Sequence, residues 1–384
     1  MALPIAITGL GALSSVGAAS ALTRALIAGQ DGLTRPALAR LPLSDRLPVG
    51  VVSAPLAAGR PRTVGLALAA AHEALADAAW SQTTDLGLIL GSCTGGMPEG
   101  ESAYFAGRPA HHRDYHRQPI GTTLAMLADD LGIVGPRAAH AEACASSACA
   151  LAEACGWIRT GLAEAVLVVG ADALCRMTMA GFNSLQVVDA AGCRPLTEER
   201  AGMNLGEGAC ALVLEHPRHA RRRGATIKAS LLGWGLSADG HHATAPNPDG
   251  VWLESAIQAA LADAGIPARE VAFAAMHGTG TRDNDIQEAG VLGRLFGHLP
   301  ASSHKRTIGH TLGAAGAFGA FAAITAIRNQ LLLPTAGLAD GTPLAAIAPV
   351  STARPGPVPV ALVTCLAFGG VNGALLFGEA HRCD

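Results

Sequence analysis

Short apolar runs alternate with longer segments of helical apolar spacing along this chain. Continuous apolar runs of this length predict buried strands, and they lie at residues 5–8, 86–90, 165–169, 209–214, 229–235, 273–276, 360–364 and 374–377. Apolar residues at helical spacing predict amphipathic helices at 64–79, 122–131 and 252–264. Strands that alternate with helices favour a layered α/β architecture.

Two further segments predict helices that are buried on every side. Residues 141–159 read AEACASSACALAEACGWIR and residues 311–328 read TLGAAGAFGAFAAITAIR, so most of their side chains are small or apolar. A helix that is apolar nearly all round belongs in a protein core. One such helix falls in each half of the chain, and no linker is visible between the halves. We therefore expect a duplicated unit whose central helices lie between sheets, rather than two independent domains.

Cys144 lies where an extended segment should turn into the first of these buried helices. Backbone N–H groups and the helix dipole at such a position favour a thiolate, and this predicts a nucleophile. Cys149 and Cys155 lie inside the same helix, and we interpret them as packing residues. Free cysteine most often behaves as a small buried hydrophobe. A structural role for Cys144 therefore stays open on this evidence alone.

Composition narrows the classes of protein. Of 384 residues, 50% are hydrophobic and 15% are charged, which is enough apolar material for a large core. A net charge of −3 without a basic stripe disfavours nucleic-acid binding, and no apolar run is long enough to cross a bilayer. The amino terminus lacks signal-peptide features, and the nine cysteines show no paired spacing. We expect a cytoplasmic protein with no nucleic-acid or membrane partner.

Two polar segments suggest surface structure. Residues 103–118 hold three histidines, but no acidic or cysteine ligand stands at suitable spacing, so we predict a solvated loop and no metal site. The basic run at 218–223 predicts a solvated face. The Gly-Leu-Gly sequence after the first strand lacks the third glycine of a dinucleotide-binding fingerprint.

Three residues of the second half stand, like Cys144, at the ends of predicted elements. They are His277, Lys305 and His310, and glycine-rich sequence frames each histidine. A thiol beside imidazoles and an ammonium group suits acyl transfer, in which the sulfur attacks a thioester and holds the acyl group. Neutral histidines can donate N–H bonds to an oxyanion or enolate as it develops.

The motifs around these residues resemble those of the β-ketoacyl-acyl-carrier-protein synthases of the elongating type, a branch of the thiolase-fold superfamily. The similar segments are IAITGLGALSSVG near the start, EACASSA at Cys144, CRPLTEERAGMNLGEGA at 193–209, HGTGTRDND at 277–285, SSHKRTIGHTLGAAGA at 302–317 and AFGGVNGALLF at 367–377. The resemblance covers nearly the whole chain. It implies a thiolase-like five-layer αβαβα sandwich of two duplicated halves, with residues 1–225 carrying the nucleophile and residues 226–384 carrying both histidines.

The resemblance also implies a role for each residue of the constellation. Cys144 would be the acylated nucleophile. His277 and His310 would bind the malonyl thioester carbonyl and stabilise the enolate left by loss of CO₂, with Lys305 supporting His310. The backbone N–H groups of Cys144 and Phe368 would form the oxyanion hole. The reaction implied is a decarboxylative Claisen condensation between an acyl group and malonyl carrier protein.

Residues around this centre carry further implied roles. The carboxylates of Asp285 and Glu288 would place charge around Lys305. Three threonines would contact the phosphopantetheine arm: Thr279, Thr281 and Thr244. Three residues would line the acyl pocket: Thr94, Phe182 and Leu366. No metal or bound cofactor is implied beyond the phosphopantetheine that the acyl carrier protein brings. The implied partners are that carrier protein and a second subunit, in a homodimer or in a heterodimer with a related chain.

The chain departs from the family pattern at several positions. Glu142 stands two residues before the nucleophile where Ser or Thr is usual, and we expect it to face away or to pair with a cation. Gly319 stands where the family often has Glu. Leu366 and Ala367 replace a common Phe-Gly before Phe368, which would alter the acyl gate. Gln186 replaces an arginine that often docks the carrier protein, and the other candidates for that contact are Arg60, Arg62 and Arg176.

Three alternatives accompany this interpretation. A thiolase would use a second cysteine, and Cys365 lies near the carboxy end, but the HGTGT and KRTIGH motifs do not fit. Initiating synthases pair Cys with His and Asn, and Asn372 does not stand at the position of His310. A non-catalytic chain-length-factor-like subunit typically loses the nucleophile, whereas this chain keeps Cys144. The departures favour a specialised fatty-acid-like or polyketide pathway, such as polyene assembly, over housekeeping lipid synthesis.

Overall fold

Strands and helices alternate throughout the computed structural model of the chain, which describes residues 2–383. The strands are β1 Ile5–Ser14, β2 Gly17–Ala18, β3 Gly87–Gly91, β4 Arg137–His140, β5 Ala165–Asp172, β6 Gly208–Glu215, β7 Ala229–Ala238, β8 Phe273–Ala275, β9 Pro300–Ser302, β10 Leu331–Leu332, β11 Ala348–Pro349, β12 Arg354–Pro355, β13 Val360–Leu366 and β14 Val371–Gly378. Each predicted strand therefore coincides with an observed one, because continuous apolar runs are buried on both faces of a sheet.

The helices confirm the predicted amphipathic and buried segments. They are α1 Ala19–Ala28, α2 Arg62–Asp77, α3 Met97–Phe105, α4 Arg113–His116, α5 Ile120–Leu131, α6 Ser146–Thr160, α7 Arg176–Ser184, α8 Pro217–Arg222, α9 Val251–Ala264, α10 Arg282–Phe296, α11 Lys305–Ile308 and α12 Ala315–Asn329. No helix within residues 2–383 combines the length and apolar character needed to cross a membrane.

Two predictions about polar segments need correction. The predicted loop at 103–118 contains the end of α3 and all of α4. Helix α3 carries Pro98 and Glu99 in its first turn, two features that favour a helix start even where apolar periodicity is weak. The basic run at 218–223 mostly belongs to α8, and its last residue is not simply solvated, because the Arg223 guanidinium donates to the buried Glu215 carboxylate at 2.8 Å.

The strand order shows the duplication. Five strands of the first half run in the order β1-β6-β5-β3-β4, and five of the second half run in the order β7-β14-β13-β8-β9. In both sets the first two pairings are antiparallel and the next two are parallel. Antiparallel pairing of Ile5 with Leu231 joins the two sets through β1 and β7. The exact boundary between residues 225 and 226 stays a prediction.

Alternate residues along the strands enter different cores, which separates the layers. Val166 and Val168 of β5 pack with α6 and α12 in a central core, whereas Leu167 and Val169 pack with α2 and α5 in an outer one. On the other side, α9 forms a third core against the outer face of the second set of strands. Two outer helix layers, two strand layers and a central helix layer result. The predicted five-layer α/β sandwich is therefore confirmed.

Candidate active site

The nucleophile candidate lies in a strained turn between β4 and α6. Residues Ala143–Ala145 form a single 3-10 turn ahead of the helix, and Ala143 has a positive φ of 45°. The second half repeats this geometry, because Leu312 has a φ of 50° in the 3-10 turn Leu312–Ala314 just before α12. Strained non-glycine residues of this kind occur preferentially at functional sites. The turn leaves the Cys144 side chain only 5% exposed at the base of a cavity.

The structure brings Cys144 together with both histidines from the distant half. His310 Nε2 lies 3.1 Å from Cys144 Sγ, and the rings of His277 and His310 meet edge to face with centroids 5.2 Å apart. His310 is held at this point because its backbone N–H donates to the carbonyl of Asn204 and its carbonyl accepts from the backbone N–H of Gly206. A thiol and two imidazoles therefore share one buried space.

A buried carboxylate fixes the loop that carries His277. Glu288, on α10, accepts hydrogen bonds from the backbone N–H of His277 at 2.8 Å and from that of Gly278 at 2.9 Å. The hydroxyl of Thr364 donates to the same carboxylate. Burial raises the pKa of Glu288 to about 7. The contacts of Glu288 are thus with the backbone that positions His277.

Asp285 performs a similar task one helical turn earlier. Its carboxylate accepts from the backbone N–H of Leu196 at 2.9 Å and from that of Gly280 at 3.1 Å. Burial raises the pKa of Asp285 above its usual value. The two acids expected around Lys305 therefore hold backbone segments and make no hydrogen bond to its ammonium within residues 2–383.

Burial dominates the protonation state of the site. It raises the pKa of the Cys144 thiol to about 11, against the opposing effects of the Lys305 charge and the backbone N–H of Phe368. The expectation that a helix terminus would favour a thiolate is therefore wrong for the resting site, because desolvation outweighs the dipole. Burial and the Lys305 charge lower the pKa values of His277 and His310 well below the usual value. Both imidazoles are neutral and can donate or accept.

Lys305 does not contact His310 in the expected way. Its ammonium is buried, and Nζ lies 3.3 Å from Nε2 of the preceding residue, His304. Its influence on His310 is electrostatic, as shown by the lowered pKa of that imidazole. His304 was not among the predicted site residues, although it stands directly before Lys305 in the SSHKRTIGHTLGAAGA segment, which was a usable signal.

A second residue missed from the sequence is Asp172, at the end of β5. Its buried carboxylate accepts from the backbone N–H groups of Cys93, Thr94 and Gly313, at 2.9, 2.8 and 2.7 Å. Ser92 Oγ and Thr94 Oγ1 donate to it as well. Asp172 therefore ties the loop after β3 to the turn before α12. A lone acid that closes an apolar strand was the available signal.

The cavity above Cys144 has a volume of about 410 Å³. Its walls include the three threonines expected to contact the pantetheine arm, and Phe182, Leu366 and Phe368. The rings of Phe182 and Phe368 stack with centroids 5.5 Å apart. Thr94 lies elsewhere, because it is buried with its hydroxyl donating to Asp172 and is not a wall residue of the described cavity.

The departures from the family pattern have local explanations. The Glu142 carboxylate lies 3.1 Å from Nδ1 of His140, within hydrogen-bond distance. Gln186 has a φ of 57° and lines the cavity. The Cys365 S–H donates a hydrogen bond of 3.1 Å to the backbone carbonyl of Cys144, not to the Cys144 sulfur. No cluster of three or more His, Cys, Asp or Glu within residues 2–383 has a geometry that could hold a metal ion.

The arginines considered for carrier docking are already paired. Arg62 donates to the buried Glu207 at 2.8 Å, and Arg60 pairs with Asp130. The Arg176 guanidinium lies over the Phe105 ring, 4.5 Å from its centroid.

Comparison with known proteins agrees with this geometry. The family model described as "Beta-ketoacyl synthase, N-terminal domain" matches residues 61–220, and the model described as "Beta-ketoacyl synthase, C-terminal domain" matches residues 228–339. Nodulation protein E of Rhizobium meliloti is 35% identical over 329 residues, which cover 82% of this chain and 81% of that protein. The 3-oxoacyl-[acyl-carrier-protein] synthase 2 of Rhizobium meliloti (strain 1021) is 34% identical over 336 residues, covering 81% of this chain and 79% of that protein.

A solved structure extends the match to nearly every residue. The ishigamide ketosynthase/chain length factor superposes with a TM-score of 0.91 at 29% identity, covering 99% of this chain and 100% of that chain. The thiolase-like fold expected from the motifs is confirmed by this likeness.

Proposed function

The chain belongs to the β-ketoacyl synthase family, an acyltransferase family, and we propose that Cys144, His277 and His310 are the catalytic residues of a decarboxylative condensation. The observation that carries this proposal is the 3.1 Å contact between Cys144 Sγ and His310 Nε2, with His277 edge-on to the same imidazole. A buried thiol beside two neutral imidazoles has the groups that both stages of the reaction need.

In the first stage, Cys144 takes the acyl group from the carrier protein. The sulfur attacks the thioester carbonyl, and the carbon–sulfur bond to the pantetheine breaks. The thiol proton ends on the departing pantetheine sulfur, and the Nε2–H of His310, 3.1 Å from Sγ, donates to the sulfur while negative charge develops on it. The backbone N–H groups of Cys144 and Phe368 stabilise the oxyanion. Because burial raises the pKa of Cys144 to about 11, the proton leaves during attack rather than before it.

In the second stage, a malonyl thioester enters the same cavity. The neutral imidazoles of His277 and His310 each direct an N–H at its carbonyl oxygen. The bond to the carboxylate breaks, CO₂ leaves, and the electron pair forms an enolate that the two N–H groups stabilise. The enolate carbon attacks the acyl carbon on Cys144. The released thiolate takes up one proton, and the β-ketoacyl product stays on the carrier.

The carrier's phosphopantetheine enters along the polar wall of the cavity. Thr279, Thr281 and Thr244 line that wall, and the hydroxyls of Thr279 and Thr281 lie 2.8 Å apart, so they present a paired hydrogen-bonding surface. Phe182 and Leu366 line the apolar part, where the acyl chain lies. The arm is substrate-borne, and the residues of this site supply the remaining chemistry.

We further propose a cytoplasmic enzyme of a specialised fatty-acid-like or polyketide pathway that works as a dimer. The eight cysteines from Cys93 to Cys365 are free thiols, which suits a reducing compartment. Strand β4 ends the sheet and has one unpaired side, so a second subunit, identical or related, can add its own strand there. The name of the ishigamide ketosynthase/chain length factor supports the choice of a related subunit.

Intact-mass measurement of the chain after incubation with acyl carrier proteins of different acyl length tests the proposal. Wild-type protein, alone or with a related subunit, should gain one acyl mass. Cys144→Ala should gain none, and His277→Ala should accept the acyl group but fail to release CO₂ from malonyl carrier protein. An unmodified wild-type chain under both conditions would contradict catalysis and favour a chain-length-factor-like subunit.

A further inference from the structure

Among residues 2–383, no carboxylate forms an ion pair with the buried ammonium of Lys305. Lys305 is 1% exposed, and within residues 2–383 its Nζ makes its one side-chain hydrogen bond with His304 Nε2, at 3.3 Å. Buried lysines are almost always paired, because an isolated ammonium loses its hydration on burial. The neighbouring acid Glu288 is occupied by backbone N–H groups. His304 therefore stands where a charged partner is expected.

We propose that His304 is a positioning residue, whose neutral Nε2 accepts a hydrogen bond from the Lys305 ammonium and thereby holds that positive charge beside Cys144. An ammonium has only donors, so Nε2 has to be the acceptor, and the proton of His304 has to sit on Nδ1. That Nδ1 has no hydrogen-bond partner among the described residues. The contact with Lys305 is thus the one polar interaction that fixes this tautomer.

The surrounding residues enclose the ring and keep it neutral. His304 is 5% exposed, and Gly319 packs beside it: a Cβ at Gly319 would lie 2.8 Å from Val363 Cγ1 and 4.0 Å from His304 Cε1. Burial, and then the Lys305 and His310 charges, lower the pKa of His304 well below its usual value. A neutral imidazole is an acceptor, whereas a protonated one would repel the ammonium.

The effect of His304 reaches the nucleophile through Lys305. The Lys305 charge is the largest influence that lowers the pKa of Cys144 against burial. An ammonium without an acceptor would lose its proton or turn away, and either change would remove that stabilisation of the thiolate. The groups that face Lys305 electrostatically are Cys144, Cys193, Cys365, Glu288, His277, His304 and His310. The groups that act electrostatically on Cys144 also include Asp172 and Cys93.

The test follows the pH dependence of Cys144 alkylation by iodoacetamide, using peptide mass spectrometry that distinguishes Cys144 from the other thiols. His304→Met keeps bulk but removes the acceptor, and it should slow alkylation at neutral pH about tenfold by moving the profile to higher pH. His304→Gln offers an amide oxygen and should follow the wild-type profile. In the Lys305→Met background, adding His304→Met should shift the profile no further.

Thr325→Ala is the matched control, because it removes a buried hydrogen bond of 2.8 Å from Thr325 Oγ1 to the Phe321 carbonyl on α12 and leaves the hydrogen bonds of Lys305 and His304 in place. Its profile should match that of the wild type. The proposal is overturned if His304→Met leaves the profile unmoved, if His304→Gln shifts it as far as His304→Met does, or if Thr325→Ala produces the same shift.

Whether the variants fold provides a second test of the proposal. Should His304→Met fail to fold, the double variant with Lys305→Met should fold again, because no buried ammonium then lacks an acceptor. A double variant that also fails to fold overturns the proposal. The alkylation readout needs no acyl or malonyl substrate, so a failure to acylate would contradict the proposed function without touching this result.

Discussion

The contact between α6 and α12 at Gly316 is too close for a methyl group. A Cβ at Gly316 would lie 2.7 Å from the backbone nitrogen of Ala148 and 2.9 Å from its Cβ. Backbone atoms cannot rotate away, so the two central helices would have to separate. Overpacking of this kind costs roughly 1–3 kcal/mol, whereas replacing glycine by alanine in a helix stabilises by at most about 1 kcal/mol. We expect Gly316→Ala to lower the free energy of unfolding by about 1–2 kcal/mol.

The same substitution should also affect the site, because Cys144 lies just before α6 and His310 just before α12. Separation of the helices would lengthen the 3.1 Å contact between Sγ and Nε2 and slow acylation. Urea unfolding followed by circular dichroism measures the stability, and intact mass measures the acylation rate.

The matched control is Gly156→Ala on α6, where a Cβ would meet no atom within 4 Å. This variant should gain up to about 1 kcal/mol from helix propensity and acylate normally. The steric reasoning would be refuted if Gly316→Ala were as stable as Gly156→Ala.

Three further predictions concern charge and burial. Burial raises the pKa of Glu288 from 4.5 to about 7, so between these pH values the folded chain holds a proton that the unfolded chain releases. The free energy of unfolding should therefore fall by roughly 3 kcal/mol as pH rises through this window. Glu288→Gln should flatten this fall in urea titrations, and an unchanged slope would contradict the assignment. Because burial raises the pKa of Cys144 to about 11, its alkylation should rise about tenfold per pH unit above neutrality, and a plateau below about pH 9 would contradict this. Asp172→Ala should lower the unfolding free energy by several kcal/mol because it orphans the buried donors of Cys93, Thr94 and Gly313, whereas the exposed Asp85→Ala should leave it unchanged.

The sequence predicts the sheet and the long helices well because their burial follows local apolar patterns. Helix α12 shows where this stops. Its pattern begins at residue 311, but the helix begins at Ala315, because the 3-10 turn with Leu312 at φ 50° precedes it. Hydrophobicity cannot distinguish that turn from the helix. Helix α3, MPEGESAYF, was missed for the opposite reason, since its polar residues and glycine hide the period.

Prediction of the site depended on motif resemblance, because nothing in sequence spacing brings residue 144 near residue 310. The resemblance placed Cys144, His277 and His310 in the site, and the structure gathers them in one buried space. Asp172 could not be found that way, because its role depends on Ser92 and Gly313 meeting from distant segments. The protonation state of Cys144 was mispredicted because helix position is local, whereas desolvation depends on everything packed around the sulfur.

The pairing of β1 has a consequence for synthesis of the chain on the ribosome. This strand is translated before its two main neighbours, which are β6, at Gly208–Glu215, and β7, which starts at Ala229. Until both have been translated, most of this apolar ten-residue segment lacks its strand partners, because the adjacent β2 pairs only with Leu13 and Ser14. Such long-range pairing slows folding and leaves nascent chains prone to aggregation. Truncated products that end before β7 should therefore depend on chaperones, however favourable their local sequence.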